Sequence, residues 1–158
     1  MRRFLSSLLV MLFSACISAG EPSSVGALTP RELNLHASLY DGRDVTVIGL
    51  AEFNTNSRCL YESSERLKIA DRAYRVEGPR YNRAEFEPDC LTLLNADLLE
   101  ANASLVNGQV ITLRGRFLQN YRTANTIDLQ ACDFPTALVV DERDALRQLK
   151  VIRHSHRR

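Results

Sequence analysis

The sequence contains no tryptophan and only three histidines, and aromatic residues make up 7% of its 158 residues. With so few histidines, we do not expect the His-dependent triads or histidine-rich metal sites on which many hydrolases rely. His36 is the only histidine inside the predicted fold, since His154 and His156 lie at the C-terminal end. There is also no P-loop, G-x-G-x-x-G, H-E-x-x-H or C-x-x-C motif. The sequence therefore predicts a non-catalytic protein that needs no cofactor or metal ion.

An excess of either charge is also missing. The chain has 20 basic and 19 acidic residues, a net charge of +1 with histidine neutral. Without Arg2 and Arg3, which belong to the N-terminal segment considered next, 18 basic residues face 19 acidic ones and the net charge is −1. A near-neutral chain has no bulk positive field that attracts nucleic acid. We expect no nucleic-acid partner and keep a nucleic-acid-binding OB protein only as an alternative.

Long hydrophobic runs are missing except near the N terminus. Arg2 and Arg3 precede a short, mostly apolar stretch at residues 4–13, and small residues follow up to Gly20. This order is typical of a secretory signal peptide, and the run is too short to cross a bilayer. We therefore predict a signal peptide over residues 1–20 and a periplasmic or secreted protein.

The end of this segment allows a second interpretation. Residues 13–16, Phe-Ser-Ala-Cys, are similar to the lipobox of bacterial lipoproteins, in which the cysteine becomes the lipidated first residue. Phe13 departs from that pattern, where leucine is usual. Cleavage after Gly20 and lipidation of Cys16 remain alternatives. A lipidated protein would be anchored to a bacterial membrane and would fit an assembly or stability factor.

Only three cysteines follow this segment: Cys59, Cys90 and Cys132. An oxidising compartment favours one disulfide and one leftover thiol. The predicted strands give all three side chains the same direction, away from the core, on strands that adjoin. Cys90 can therefore pair with Cys59 or with Cys132, and we prefer Cys59.

The remaining length fits a single domain that can bury a core of its own. Residues 21–28 are small and polar and predict a flexible leader. Residues 29–150 form the predicted domain, and residues 151–158 a polar tail. We expect a monomer.

A short phrase occurs twice in this domain, as DGRDVTVIG at residues 41–49 and NGQVITLRG at residues 107–115. Aligned without gaps, the copies share glycine at the second and ninth places and threonine at the sixth. In each copy the first glycine ends a helix, and a strand with period-two alternation follows. We expect Gly49 and Gly115 to mark bends, because an interior glycine otherwise weakens a strand.

Other elements are predicted from caps and alternation. Thr29 and Glu32 form a capping box for a helix from residue 30 to about 40, and Asn95 caps a helix that ends near residue 106. A last helix, capped by Asp141, runs to about residue 149. The predicted strands occupy residues 44–53, 59–62, 90–94, 110–118 and 126–134, with a further candidate at 73–77.

Three strands, a helix and two more strands follow one another in the order of the OB-fold, a five-stranded Greek-key barrel with a helix between strands 3 and 4. This layout over residues 41–134, behind a signal peptide, resembles the secreted bacterial OB-fold proteins. The resemblance implies a binding or envelope role and carries no catalytic residue with it. The predicted fold is mainly β, with flanking helices at both ends.

OB-folds bind ligands on strands 2 and 3 and on the two loops beside them. These loops hold Arg58, Tyr121 and Arg122, and Tyr61 lies on the second strand. Arginine forks carboxylates and phosphates, and tyrosine supplies stacking area. We therefore expect these four residues to bind an envelope ligand, either an oligosaccharide or a protein partner.

Overall fold

The structure is a computed structural model that describes residues 26–54, 57–78, 82–122, 132 and 134–156. The predicted signal peptide, including Cys16, lies outside these residues. So does most of the predicted strand 126–134.

The described part of the chain contains five strands and several short helices. The strands are β1 (Asp44–Asn54), β2 (Ser57–Tyr61), β3 (Cys90–Leu94), β4 (Val110–Leu118) and β5 (Ala137–Val140). The helices are α1 (Pro30–Leu35), α2 (Ala37–Tyr40), α3 (Ser64–Glu77), α4 (Arg83–Phe86), α5 (Asp97–Glu100), α6 (Ala103–Val106) and α7 (Glu142–Ser155), with a 3₁₀ turn at Glu87–Asp89.

The strands close into a barrel in the order β1-β2-β3-β5-β4, and β4 pairs back to β1. The neighbouring pairs are antiparallel except β3 and β5, which are parallel. This confirms the predicted five-stranded barrel with flanking helices, in the form of a closed mixed barrel. Each strand sends apolar side chains inward, and the fully buried ones include Val47, Leu60, Leu91, Leu113 and Leu138.

The repeated phrase pairs with itself inside this barrel. β1 and β4 run antiparallel, and their register places Val47 opposite Leu113. Both residues are the seventh of their copy, so an approximate two-fold axis passes between them. The same register sets the ninth residue of each copy opposite the fifth of the other: Gly49 opposite Ile111, and Gly115 opposite Val45.

The same turn leads into both strands. Asp41 has φ −54° and ψ 128° and Gly42 has φ 71°, while Asn107 has φ −58° and ψ 133° and Gly108 has φ 75°. These are the angles of a type II turn, which needs glycine at its third position because φ is positive there. The second-place glycine of the phrase is therefore fixed by the turn in both copies.

The repeat also extends upstream of the phrase. Ala-Ser-Leu occupies residues 37–39 and again residues 103–105, and each begins a one-turn helix. Leu33 and Leu99, which lie 66 residues apart in the preceding helices, are both fully buried. A unit of two short helices, a turn and a strand thus occurs twice at one offset.

Gly49 and Gly115 lie where β1 and β4, which pair with each other, each begin to pair with a second neighbouring strand. β1 begins to pair with β2 next to Gly49, and β4 begins to pair with β5 at Gly115. A Cβ added to Gly49 would lie 2.8 Å from the Tyr61 carbonyl oxygen, and one added to Gly115 would overlap the Val139 carbonyl group. The ninth-place glycine therefore lets the second partner strand approach closely.

The helices around β3 and β4 differ in detail from the prediction. The Thr29 capping box is present, but the helix that it starts is divided into α1 and α2 at His36. Two one-turn helices connect β3 to β4, and Asn95 does not cap the first of them: it has φ 56°, and Ala96 takes the cap position. Asp141 caps α7 as predicted, and this helix continues to Ser155, into the predicted polar tail.

The strand candidate at residues 73–77 is wrong, because these residues end helix α3. The Ser63 hydroxyl accepts a hydrogen bond from the Arg66 backbone N–H and starts this helix. An alternation over five residues is too short to distinguish a strand from the surface of a helix. The N-terminal cap, ten residues earlier, was the decisive signal.

The fifth strand of the barrel is β5, a segment to which the sequence analysis assigns no strand. Phe134, the end of the predicted strand, lies in a bend. The Ala-Leu-Val-Val run of β5 shows no alternation, because Ala137, Leu138 and Val140 are all buried. A four-residue apolar run without alternation does not identify a strand by its period.

Candidate functional site

Three cysteines meet outside the barrel core. Cys90 and Cys132 form a disulfide with Cα atoms 5.4 Å apart, and Cys59 is a buried free thiol. The Cys59 Sγ lies 2.8 Å from the Cys132 Sγ, and the Cys59 thiol is the donor because Cys132 carries no proton. All three sulfurs lie within 4.8 Å of one another. We call Cys59, Cys90 and Cys132 the three-cysteine cluster.

The disulfide is not the preferred Cys59–Cys90 pair but the other alternative. In the β2–β3 ladder Cys59 lies opposite Thr92, whereas Cys90 lies opposite Tyr61. Cys59 and Cys90 are therefore diagonal neighbours, whose Cα atoms are typically about 7–8 Å apart, beyond the usual reach of a disulfide. Cys132 comes from a separate segment and approaches Cys90 closely enough to bond.

Burial controls the chemistry of the Cys59 thiol. It raises the pKa of this thiol to about 12, while the nearby Ser57 hydroxyl and the Arg58 backbone N–H lower the pKa by smaller amounts. Ser57 shares the face of Cys59, two residues away, and is itself buried. Its buried Oγ lies close enough to the sulfur to favour the thiolate. Cys59 therefore stays protonated at neutral pH and is a weak nucleophile there.

Three of the four predicted ligand-binding residues surround this cluster. Tyr61 packs against it, and the Thr92 hydroxyl donates to the phenol oxygen of Tyr121 at 3.4 Å. The Arg122 guanidinium donates to the Cys132 carbonyl oxygen at 2.8 Å. All three side chains are half-buried. The structure brings them together, but it uses them to hold residues 121–122 and Cys132 beside β2 and β3.

Arg58 lies apart from the other three. It alternates with Cys59 along β2 and so points to the side of Leu60, which belongs to the barrel core. Its guanidinium forms ion pairs with Asp97 at 2.9 Å and with Glu100 at 2.6 Å. These pairs join β2 to helix α5. The predicted four-residue site is therefore divided between two faces.

The acidic segment 85–89 contains one buried carboxylate. The two Asp89 oxygens lie 2.6 Å from the Arg31 guanidinium and 2.7 Å from that of Arg66, while Glu85 is about half exposed. A buried charge needs such partners to offset its desolvation. Asp89 therefore fastens α1 and α3 to the barrel, and the segment does not supply the paired carboxylates of a hydrolase.

Strand β4 carries two arginines whose guanidinium groups are not engaged by any described residue. Arg114 and Arg116 are two residues apart, so both project outward from the barrel. Both are exposed, and neither guanidinium has a hydrogen bond or ion pair with any residue that the structure describes. They border a groove of about 370 Å³ with Asp44 and Asp141, over the backbone of β4 and β5. We call these four residues and their groove the arginine groove.

Sequence reasoning did not find the arginine groove. The sequence does contain an indication of it, since Arg114 and Arg116 lie two residues apart on one face of an alternating strand. The sequence does not show which arginines find partners in the fold. The sequence shows two arginines, yet the Arg58 guanidinium is held by two carboxylates, whereas the Arg114 guanidinium pairs with none among the described residues.

A second groove, of about 310 Å³, lies between helices α1 and α2 and the residues before β5. Its buried amide is Asn34, which donates to the carbonyl oxygens of Pro88 and Cys90 at 2.8 Å each. The Asn34 side chain also accepts from the Thr136 hydroxyl at 2.5 Å. These polar groups are satisfied within the protein and bind α1 to the barrel, so they are not available to a ligand.

The chain matches no protein-family model, and neither curated proteins nor solved structures show a significant similarity to it. Within the described ranges, no helix has both the length and the apolar character needed to span a bilayer.

Proposed function

We propose that this protein is an exported, non-catalytic binding module built on an OB-fold, and that it binds an acidic oligosaccharide of the cell envelope. Support for the OB assignment comes from the closed strand order β1-β2-β3-β5-β4, the parallel β3–β5 pair and the short helices between β3 and β4. Support for export comes from the N-terminal sequence pattern. The Cys90–Cys132 disulfide is compatible with an oxidising compartment.

The arginine groove is the observation that carries the choice of ligand. Arg114 and Arg116 are exposed on β4, and no described residue engages their guanidinium groups. Guanidinium groups bind carboxylates through paired, charge-assisted hydrogen bonds. Asp44 and Asp141 border the same groove and offer acceptors to hydroxyl groups. A chain of sugar rings that carry carboxylates presents both kinds of partner.

The predicted residues around the three-cysteine cluster have a different role in this proposal. Tyr61, Tyr121 and Arg122 hold residues 121–122 and Cys132 beside β2 and β3, and Arg58 attaches α5 to the barrel. The ligand then binds on the opposite part of the barrel surface, along β4. If the sugar does not bind, the alternative ligand, a protein partner, is favoured.

Calorimetric titration with trigalacturonate, a short uronic-acid oligosaccharide, tests the proposal. Each charge-assisted hydrogen bond contributes about 1.5–3 kcal/mol, so Arg114→Gln with Arg116→Gln should weaken binding by at least about 100-fold. The fully methyl-esterified sugar should bind weakly to the unaltered protein, because it has no carboxylate. Binding should also weaken as salt rises, since the groove is exposed.

The matched control is Lys68→Gln with Arg72→Gln on helix α3. Both side chains are exposed, and the change in net charge is the same. This variant should bind trigalacturonate like the parent. If the groove variant and the control bind equally well, or if the ester binds as tightly as the acid, the arginine groove is not the site.

Export is tested separately by the intact mass of the protein recovered from the envelope fraction. A free protein that begins at Glu21 supports cleavage after Gly20, whereas a lipidated protein that begins at Cys16 supports the membrane-anchored alternative. A full-length chain confined to the cytosol would contradict export in either form.

A further inference from the structure

The three-cysteine cluster contains a free thiol in contact with a disulfide. The Cys59 Sγ is 2.8 Å from the Cys132 Sγ, while Cys132 is bonded to Cys90. The exposed fractions of the three residues are 0%, 2% and 5% for Cys59, Cys132 and Cys90, so the surrounding protein holds all three in place. We infer that Cys132 is the shared member of a thiol–disulfide exchange centre, in which Cys59 and Cys90 alternate as its partner.

The exchange is balanced within the protein. The Cys59 thiolate attacks the Cys132 Sγ, the Cys59–Cys132 bond forms, and the Cys132–Cys90 bond breaks. Cys90 leaves as a thiolate and takes up the proton that Cys59 released. One disulfide and one thiol are present before and after, so no external oxidant or reductant is needed.

The position of each cysteine explains why Cys132 is the shared one. Cys59 and Cys90 lie on neighbouring strands, diagonal to each other across the β2–β3 ladder. Cys132 comes from the segment between β4 and β5 and has its sulfur against both. Direct pairing of Cys59 with Cys90 requires the two strands to shift, whereas exchange through Cys132 leaves the ladder intact.

A second observation comes from Ser57. Its hydroxyl is buried beside Cys59 and lowers the pKa of that thiol, as a donor to the sulfur would. A hydroxyl in this position can donate to the thiolate that forms during exchange, which would otherwise be costly to bury. The exchange is slow at neutral pH, because burial keeps Cys59 protonated.

The exchange has a consequence for the β4–β5 connection. Cys132 keeps this connection cross-linked to the barrel in both forms, through β3 when Cys90 is its partner and through β2 when Cys59 is. Modification of either partner therefore does not release the connection. The spare thiol acts as a replacement that the fold already holds in position.

The full-length variant Cys90→Ser tests the inference. The protein is secreted into an oxidising compartment, alkylated in acid without reduction, digested and mapped by mass spectrometry. We expect a linked peptide between Cys59 and Cys132 and loss of both free thiols. Recovery of Cys59 and Cys132 as two free thiols in folded Cys90→Ser protein would overturn the inference.

The unaltered protein gives a test that does not depend on the folding of that variant. It is incubated at pH 9 under native conditions and at low concentration, then quenched in acid and mapped. We expect the Cys59–Cys132 peptide beside the Cys90–Cys132 peptide, and only the latter from Cys59→Ser treated in parallel. If the unaltered protein yields Cys90–Cys132 alone, Cys59 is a buried thiol without an exchange role.

Discussion

The two copies of the repeated unit have the same backbone and different neighbours. In both, a type II turn with glycine feeds a long strand, and a second glycine admits the next strand partner. In the first copy, the Leu28 backbone covers the edge of β1, donating to Thr46 and accepting from Ile48. In the second, the Asp144 carboxylate takes the place of that segment and accepts from the Arg114 backbone N–H at 2.8 Å.

The difference separates the positions that the fold constrains from those that it leaves free. The glycines at the second and ninth places are required by backbone geometry in both copies. The eighth place of the phrase faces outward and is exposed in both copies. It therefore accepts different residues, Ile48 in the first copy and Arg114 in the second. Function is therefore expected at outward positions of the second copy, where the arginine groove lies.

The largest expected effect is at the ninth-place glycines. Gly115→Ala places a methyl group on the Val139 carbonyl, whereas Gly49→Ala places one 2.8 Å from the Tyr61 oxygen. Because the neighbouring backbone cannot move easily in either case, we expect the free energy of unfolding to fall by about 3 kcal/mol for Gly115→Ala and by about 1–2 kcal/mol for Gly49→Ala. Urea unfolding with the disulfide intact measures both. Equal losses of stability would contradict this order and would mean that β2 approaches Gly49 as closely as β5 approaches Gly115.

The next largest effect is at the edge of the second copy. Asp144→Ala removes the acceptor of the Arg114 backbone N–H and should destabilise the protein by about 2 kcal/mol, since that donor is then left unpaired. Asp144→Asn keeps an acceptor oxygen and should cost less. Truncation to a chain that begins at Thr29 removes the equivalent acceptor, the Leu28 carbonyl, from Ile48, and it should cost less because Leu28 is only half-buried whereas Asp144 is buried. If this truncation costs more than Asp144→Ala, the first copy depends more on its edge than the second does.

The turns should respond alike in the two copies. Gly42→Ala and Gly108→Ala each force a non-glycine residue to positive φ, with no other atom within 4 Å of the new Cβ. The expected loss is about 1 kcal/mol in each case. Asparagine tolerates this conformation better, so Gly108→Asn should cost less than Gly108→Ala. A loss found in only one copy would contradict the shared type II turn.

The smallest effect distinguishes the residues that precede the two turn glycines. Asn107 makes two hydrogen bonds with the Phe53 backbone, accepting at 2.7 Å and donating at 2.8 Å. Asp41 makes one exposed bond, accepting from the Gln119 N–H at 2.9 Å. We expect the free energy of unfolding to fall by about 1 kcal/mol for Asn107→Ala and by about half of that for Asp41→Ala. Asn107→Asp, which keeps only the acceptor, should lie between the parent and Asn107→Ala in thermal unfolding.

Local sequence was sufficient for the elements that alternate or carry caps. The strands around Val47 and Leu113, the Thr29 capping box and the cap at Asp141 follow from patterns of a few residues. The closed barrel also follows from their order. Strand β5 does not, because a strand buried on both sides loses the alternation that would identify it. Helix α3 is indicated in the sequence by the capping Ser63, whereas the alternation at residues 73–77 is too short to identify a strand.

The candidate site was harder to predict, because its residues depend on contacts made at long range. Arg58 and Arg122 have the chemistry of ligand-binding residues, but Asp97 and the Cys132 carbonyl oxygen hold them within the fold. The disulfide depended on register: a shift of two residues in the β2–β3 ladder would have placed Cys59 opposite Cys90. Register is set by packing of the whole sheet, which no local pattern specifies.

Helix α3 gives the molecule two levels of cooperativity. None of its 14 residues is buried, and in its first turn Arg66 contacts Asp89 and the Phe86 ring. Such a helix can open while the barrel stays closed, so its amide hydrogens should exchange with deuterium well before those of β1 and β4. A protease should cut there first and leave the barrel folded, because the strand ladders and the Cys90–Cys132 cross-link do not pass through it.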